Sequence, residues 1–183
     1  MTLTQMKEKV LTLIEEISPQ SELLTDDPDI AAKLVHVIQQ VMTELSRLKK
    51  LPRLITAPVK KGDILDFAAL EALCGREIYQ LGLITGVEYL LRAGGTVVQI
   101  LSDGTAQVDV FVYPLPITGD DYEFELSRDV LEIMPYGIAA DLLKTDLSAD
   151  GGRIYAQRYA DLLRLLDPRY QLPGVQIWGG AAL

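Results

Sequence analysis

Asp120, Asp121 and Glu123 place three carboxylates within four residues beside Gly119. Such a group could hold a cation or divide the roles of general acid and base, although adjacent carboxylates are also common in solvated loops. A second acidic run, Asp26, Asp27 and Asp29 around Pro28, lacks the ligand register and the bidentate Glu of a calcium loop and reads as a helix cap. His36, the sole histidine, lies in a helical stretch beside Val35 and Val37, with no Ser or Cys placed by sequence to serve as its nucleophile. Cys74 is the sole cysteine, so one chain can form neither an internal disulfide nor a thiolate metal cage. HExxH, GxSxG, P-loop and GxGxxG patterns do not occur. The residues point to no catalytic, cofactor or metal site, and to a protein that is not an enzyme.

Charge carries more information than chemistry. The formal net charge is −9 and the pI near 4.6, which argues against binding free nucleic acid, since that needs clustered Lys and Arg to release counterions. Residues 102–150 hold 11 acids against only Arg128 and Lys144. Within that block Asp120, Asp121, Glu123 and Glu125 crowd four carboxylates into six residues. Opposite in sign is a cluster of Arg47, Lys49, Lys50, Arg53, Lys60 and Lys61, which reads either as solvated helix-end cations or as a surface meeting the acids of a neighbouring copy. The first residues, MTLTQMKEKVLTLIEE, have acids within the apolar stripe and no signal-peptide core, and no apolar run reaches the roughly 20 residues of a membrane span. The expectation is a cytoplasmic chain without a membrane partner.

The elements that must position these charges form an α+β fold, mainly α. The expected order is an N-terminal helix pair, a small antiparallel β meander, C-terminal helices and an extended C-terminal tail. Thr4 would cap a first helix over 4–18, with Met6, Val10, Leu13, Ile14 and Ile17 at helical spacing. Asp27 and Pro28 would open a second over 28–48, antiparallel to the first. The stretch RLITAPV is β-prone, but Pro58 demotes it to an edge or a connector. DILDFAALEALCG predicts a short helix closed by Gly75. Strands are expected near 77–81 and 87–91, with hairpin turns at Gly94-Gly95 and Asp103-Gly104. Val108, Val110 and Val112 alternate with Asp109, Phe111 and Tyr113, as in a sheet with one buried face. DYEFEL suggests one more strand, so the meander runs over about 77–126.

Ser127 is the expected cap of a short helical turn. Pro135, which cannot donate an amide hydrogen bond, should break it and begin a fresh helix over 135–146. Gly137, Ala139 and Ala140 would let another backbone approach, and LSADGG would end that segment before a last helix over 153–166. Residues 1–167 then make one domain. Residues 168–183 make a C-terminal arm that either packs on its own subunit or inserts Val175, Ile177 and Trp178 into a neighbour.

The run FELSRDVLEIMPYGIAADLLKTD, followed by GRIYAQRYADLLRLLDPR, resembles the C-terminal half of the head-tail connector, or adaptor, proteins of tailed bacteriophages. The family's PY-x-x-A-A-x-L-L-x-x-D helix matches Pro135, Tyr136, Ala139, Ala140, Leu142, Leu143 and Asp146. The tyrosine-containing helix that follows matches Tyr155, Tyr159, Leu162 and Leu163. The resemblance implies a non-enzymatic virion or prophage subunit, assembled in the bacterial cytoplasm, without a cofactor. Such a subunit forms a ring with copies of itself, joins the portal to tail-completion proteins and continues the channel for passing DNA, which it does not bind by sequence; Asp120, Asp121, Glu123 and Glu125 are then the candidates to face that channel. The alternative reading of the same charges is an acidic adaptor or inhibitor module that binds a basic protein.

Overall fold

A computed structural model of the chain describes residues 1–15, 28–145 and 149–166. Five helices occur in it, α1 (Leu3–Glu15), α2 (Pro28–Leu48), α3 (Phe67–Cys74), α4 (Arg128–Leu142) and α5 (Ala149–Leu166). The six strands are β1 (Pro52–Val59), β2 (Ile64–Asp66), β3 (Ile78–Thr85), β4 (Tyr89–Arg92), β5 (Val97–Ile100) and β6 (Gly104–Val112). The fold is mixed α+β. The expected single domain divides into two compact units, Met1–Val41 with Gly119–Leu183, and Met42–Thr118. The division arises because the β-rich segment buries a core of its own, with Val98, Ile100, Val108, Val110 and Val112 fully covered.

In the helical unit, α1 begins one residue before the expected cap. Thr2 and Gln5 satisfy each other's backbone amides, Gln5 N donating to Thr2 Oγ1 at 3.3 Å and Thr2 N to Gln5 Oε1 at 3.0 Å. This reciprocal box satisfies two groups that a helix start otherwise leaves open. Thr4 instead donates its hydroxyl to Asp120 O at 3.2 Å. Among the described residues α1 packs closely on α4. The expected continuation to residue 18 and the Asp27 cap lie outside the described residues.

The expected break at Pro135 is also absent, and α4 runs through it from Arg128 to Leu142. A proline inside a helix costs about 3 kcal/mol. Here Val130, Leu131, Ile133, Met134, Ile138 and Ala139 are all buried around it, and covering a large apolar side chain stabilises by about 1.5–3 kcal/mol. Packing on both sides of the proline therefore outweighs the lost hydrogen bond. Gly137 serves close approach as expected, but to a side chain: a Cβ there would stand 2.8 Å from the Tyr159 ring of α5 and 3.1 Å from Val41. Helix α5 starts at Ala149, earlier than the expected residue 153, and takes in both glycines. Gly152 has a reason to be there, because a Cβ would lie 3.2 Å from the Leu143 carbonyl oxygen. The end of the expected 135–146 helix lies outside the described residues.

In the β-rich unit the meander is replaced by two three-stranded antiparallel sheets, ordered β1-β6-β3 and β2-β5-β4. Gly94-Gly95 does turn β4 into β5, with Ala93, Gly94 and Gly95 all at positive φ. Asp103-Gly104 does not make a hairpin, since β5 and β6 belong to different sheets. Two turn-like glycine pairs between β-prone runs look alike locally, and only long-range pairing separates them. The β1 strand is an edge, as Pro58 required, and α3 is capped at both ends by Asp66 and Gly75.

Candidate assembly surfaces

The acidic segment is built by alternation. Phe124 and Leu126 are buried and Tyr122 is half-buried, while Asp121, Glu123 and Glu125 point outward with Asp120. The Tyr122 and Phe124 rings meet edge to face at 5.4 Å. The segment is not a strand of either sheet, as DYEFEL suggested. It pairs with the first residues of the chain through one antiparallel bridge, Thr2 with Glu123, with Leu3 N donating to Tyr122 O at 2.8 Å and Phe124 N to Met1 O at 3.1 Å. Two backbone hydrogen bonds are enough to fix which side chains face out. Lys7 Nζ lies 2.7 Å from Asp120 Oδ1 with Asp120 78% exposed, so this ion pair stabilises by at most about 1 kcal/mol.

The six cations that are near in sequence do not form one patch. Arg47, Lys49, Lys50 and Arg53 precede or open β1, whereas Lys60 and Lys61 follow it. Eight residues of strand at about 3.3 Å each separate the two groups by roughly 25 Å. At the first end Arg47 is tied down. Its Nη2 donates to Tyr113 Oη at 2.7 Å and its guanidinium stands 5.2 Å from the Tyr113 ring centre. Lys50 Nζ sits 4.5 Å above Phe111, a cation–π contact of the kind that holds a cation against an apolar surface. At the other end the backbone amides of Lys60 and Lys61 donate to Asp63 Oδ2 at 2.8 Å and Asp103 Oδ1 at 2.6 Å, and both side chains are exposed.

Sequence reasoning missed Tyr113, which organises the first end. Besides Arg47, it receives Arg76 Nη2 on its carbonyl oxygen at 2.8 Å, and the Tyr79 ring lies 5.0 Å from its own. Tyr79 donates its hydroxyl to Ser46 O at 3.0 Å. Burial raises the Tyr79 pKa above its ordinary value, the neighbouring Tyr113 raises it further, and Arg47 opposes both. Nothing local in the sequence joins residues 46, 47, 79 and 113, so only the chain's long-range pairing could reveal this cluster. Val175, Ile177 and Trp178 lie outside the described residues.

The 11 acids of residues 102–150 are not all in one unit either, because Asp103 and Asp109 belong to the β-rich unit and the other nine to the helical one. A sharper division follows from the fold. Eight of the 17 Lys and Arg and eight of the 26 Asp and Glu fall in Met42–Thr118, so that unit is neutral. The remaining nine bases and 18 acids give the helical unit the entire −9.

His36 and Cys74 fall in different units, and Cys74 Sγ donates to Arg76 O at 3.4 Å. The cleft along α1, lined by Met1, Gln5, Glu8, Lys9, Thr12 and Leu13, holds neither thiol nor imidazole. Among the described residues no three His, Cys, Asp or Glu side chains group as a metal site, and no helix is long and apolar enough to cross a membrane. Compared with models of known protein families and with curated proteins, the chain matches none.

Proposed function

We propose that the chain is a non-enzymatic structural subunit of a tailed bacteriophage or prophage, a head-tail connector. It assembles with copies of itself into a ring between the portal and the tail-completion proteins, and the ring continues the DNA channel. The observation that carries this reading is the confinement of the whole net charge to the helical unit, whose Asp120, Asp121, Glu123 and Glu125 are exposed. A ring of such carboxylates facing a channel repels the phosphate backbone and lets DNA slide, the opposite of what retention requires. Further support comes from the order of the packed segments. An outward acidic run leads into α4 with Pro135 and Tyr136, and α4 packs on α5 with Tyr155 and Tyr159, the succession that the sequence resemblance implies. Heterologous contacts between identical copies generate a ring where the rotation closes, and we assign such contacts to the cations at the two ends of β1.

Native mass spectrometry over a range of protein and salt concentrations tests the proposal. Discrete large oligomers are expected, and a monomer throughout, alone and with an isolated portal ring, overturns it. The exposed acids equally suit an adaptor that binds a basic protein. That reading requires a one-to-one complex whose affinity falls steeply with salt.

A further inference from the structure

Among the described residues, nine of the eleven exposed large apolar side chains belong to Met42–Thr118, the unit whose charges cancel. A second copy can therefore approach this unit without the like-charge repulsion that the helical unit at −9 imposes. In the sheet β2-β5-β4, Leu65, Val98 and Ile100 turn inward and are covered. The alternate residues form the outer face. Ile64, Gln99 and Leu90 stand in one row across its three strands, and Asp66, Val97 and Arg92 in the next. Ile64 is 62% exposed and Leu90 46%.

Gln99 lies at the centre of that face, between the two exposed apolar side chains. Its Oε1 is shut off from solvent and accepts no hydrogen bond, and a covered acceptor without a donor is destabilising. The next row has opposite charges at its two ends. Asp66 and Arg92 are both exposed, and two strand spacings, roughly 10 Å, keep their backbones apart within one copy. Asp66 caps α3 with Oδ1, which accepts from Ala69 N at 2.8 Å, and this leaves Oδ2 for a guanidinium. A two-fold axis along β5 exchanges the positions of β2 and β4. It sets Ile64 against Leu90 of a second copy, Asp66 against the Arg92 of that copy, and Gln99 against its Gln99, so the face is complementary to itself in shape of charge and in hydrogen bonding.

We infer that the outer face of β2-β5-β4 pairs with the same face of a second copy of this chain about a two-fold axis along β5. Sheets packed face to face stand about 10 Å apart with their strands nearly aligned, which brings the opposing side chains together. The Gln99 amide holds both donors and an acceptor, so rotation of the two terminal amides satisfies each with the other. The two Asp66–Arg92 pairs fix the direction of approach. An isologous contact joins two copies and stops there, so this pair is separate from the heterologous contacts of the proposed ring and does not rest on that reading. Three short strands make a face well below the roughly 800 Å² per partner of a standard stable interface. The pair therefore forms and separates with protein concentration.

Cross-linking of the full chain tests it. In a Cys74→Ser background, which removes the only thiol, Ile64→Cys chains are mixed with Leu90→Cys chains and treated with a short bis-maleimide. Cross-links between the two kinds of chain, identified by peptide mass, are expected several-fold faster than between chains of one kind, because like positions stand two strand spacings apart sideways. Arg92→Glu in both chains, with the fold checked by circular dichroism, should slow the reaction several-fold by setting carboxylates face to face, whereas Arg92→Lys should leave it nearly unchanged. A mixture that gives no cross-link up to the highest soluble concentration overturns the pair. So does reaction between like positions as fast as between unlike ones, or a rate that Arg92→Glu does not alter.

Discussion

Gly137 is the residue where one missing carbon decides most. A Cβ would stand 2.8 Å from one carbon of the Tyr159 ring, 2.9 Å from another and 3.1 Å from Val41, and α4 is buried on both sides of this position. The neighbours have little room to give. Gly137→Ala gains helix propensity of about 1 kcal/mol, but overpacking a core costs about 1–3 kcal/mol. We expect a net loss of stability, measured by urea unfolding, with partial recovery when Tyr159→Leu is added. Tyr79 makes a different prediction, because its environment favours the neutral phenol. Its folded pKa stands above the unfolded one, so its contribution is whole below about pH 10 and is lost as pH climbs through the raised value. Tyr79→Phe should cost about 1 kcal/mol at neutral pH through the lost bond to Ser46 O. It should also flatten the alkaline fall in stability measured by thermal unfolding. At this scale the sequence announced the small residue at 137 but not the tyrosine that needs it, since residues 137 and 159 meet only across two packed helices.

Elements were legible where their signals are local. Asp66 and Gly75 bound α3 as their types require, the carboxylate accepting from Ala69 N at 2.8 Å and the glycine taking φ of 67°. Because nothing lies within 4 Å of a Cβ at Gly75, Gly75→Ala tests backbone strain alone. It should cost about 1 kcal/mol, as should Asp66→Ala through loss of the cap, both read by chemical denaturation. The alternation of Val108, Val110 and Val112 was equally plain, because a sheet with one buried face imposes period two. Pairing was not legible. The partner of β1 is β6, some fifty residues away, and successive strands pass between the two sheets, so turn chemistry at Asp103-Gly104 pointed to a hairpin that does not exist. Pro135 misled for a related reason. A local rule set a break that packing by α1 and α5 overrides.

For the whole molecule, the partition of charge decides what the proposed ring could do with DNA. With the β-rich unit neutral and the helical unit at −9, the field of the helical unit repels phosphate over roughly a Debye length, about 8 Å at physiological salt. If Asp121, Glu123 and Glu125 face the channel, reversing all three should convert a slippery lining into a retaining one. Each reversal changes the charge by two, and the added lysines would release counterions on contact with duplex DNA. The variant Asp121→Lys, Glu123→Lys, Glu125→Lys should still assemble, since the cations at the ends of β1 are untouched. It should also retain double-stranded DNA in an electrophoretic shift that disappears as salt rises, whereas the unaltered ring retains none. Lys60→Glu with Lys61→Glu should do the reverse, weakening assembly in native mass spectra without conferring retention. An assembled triple variant that still ignores DNA would place the acids on the outer wall of the ring, where a basic partner rather than passing DNA would meet them.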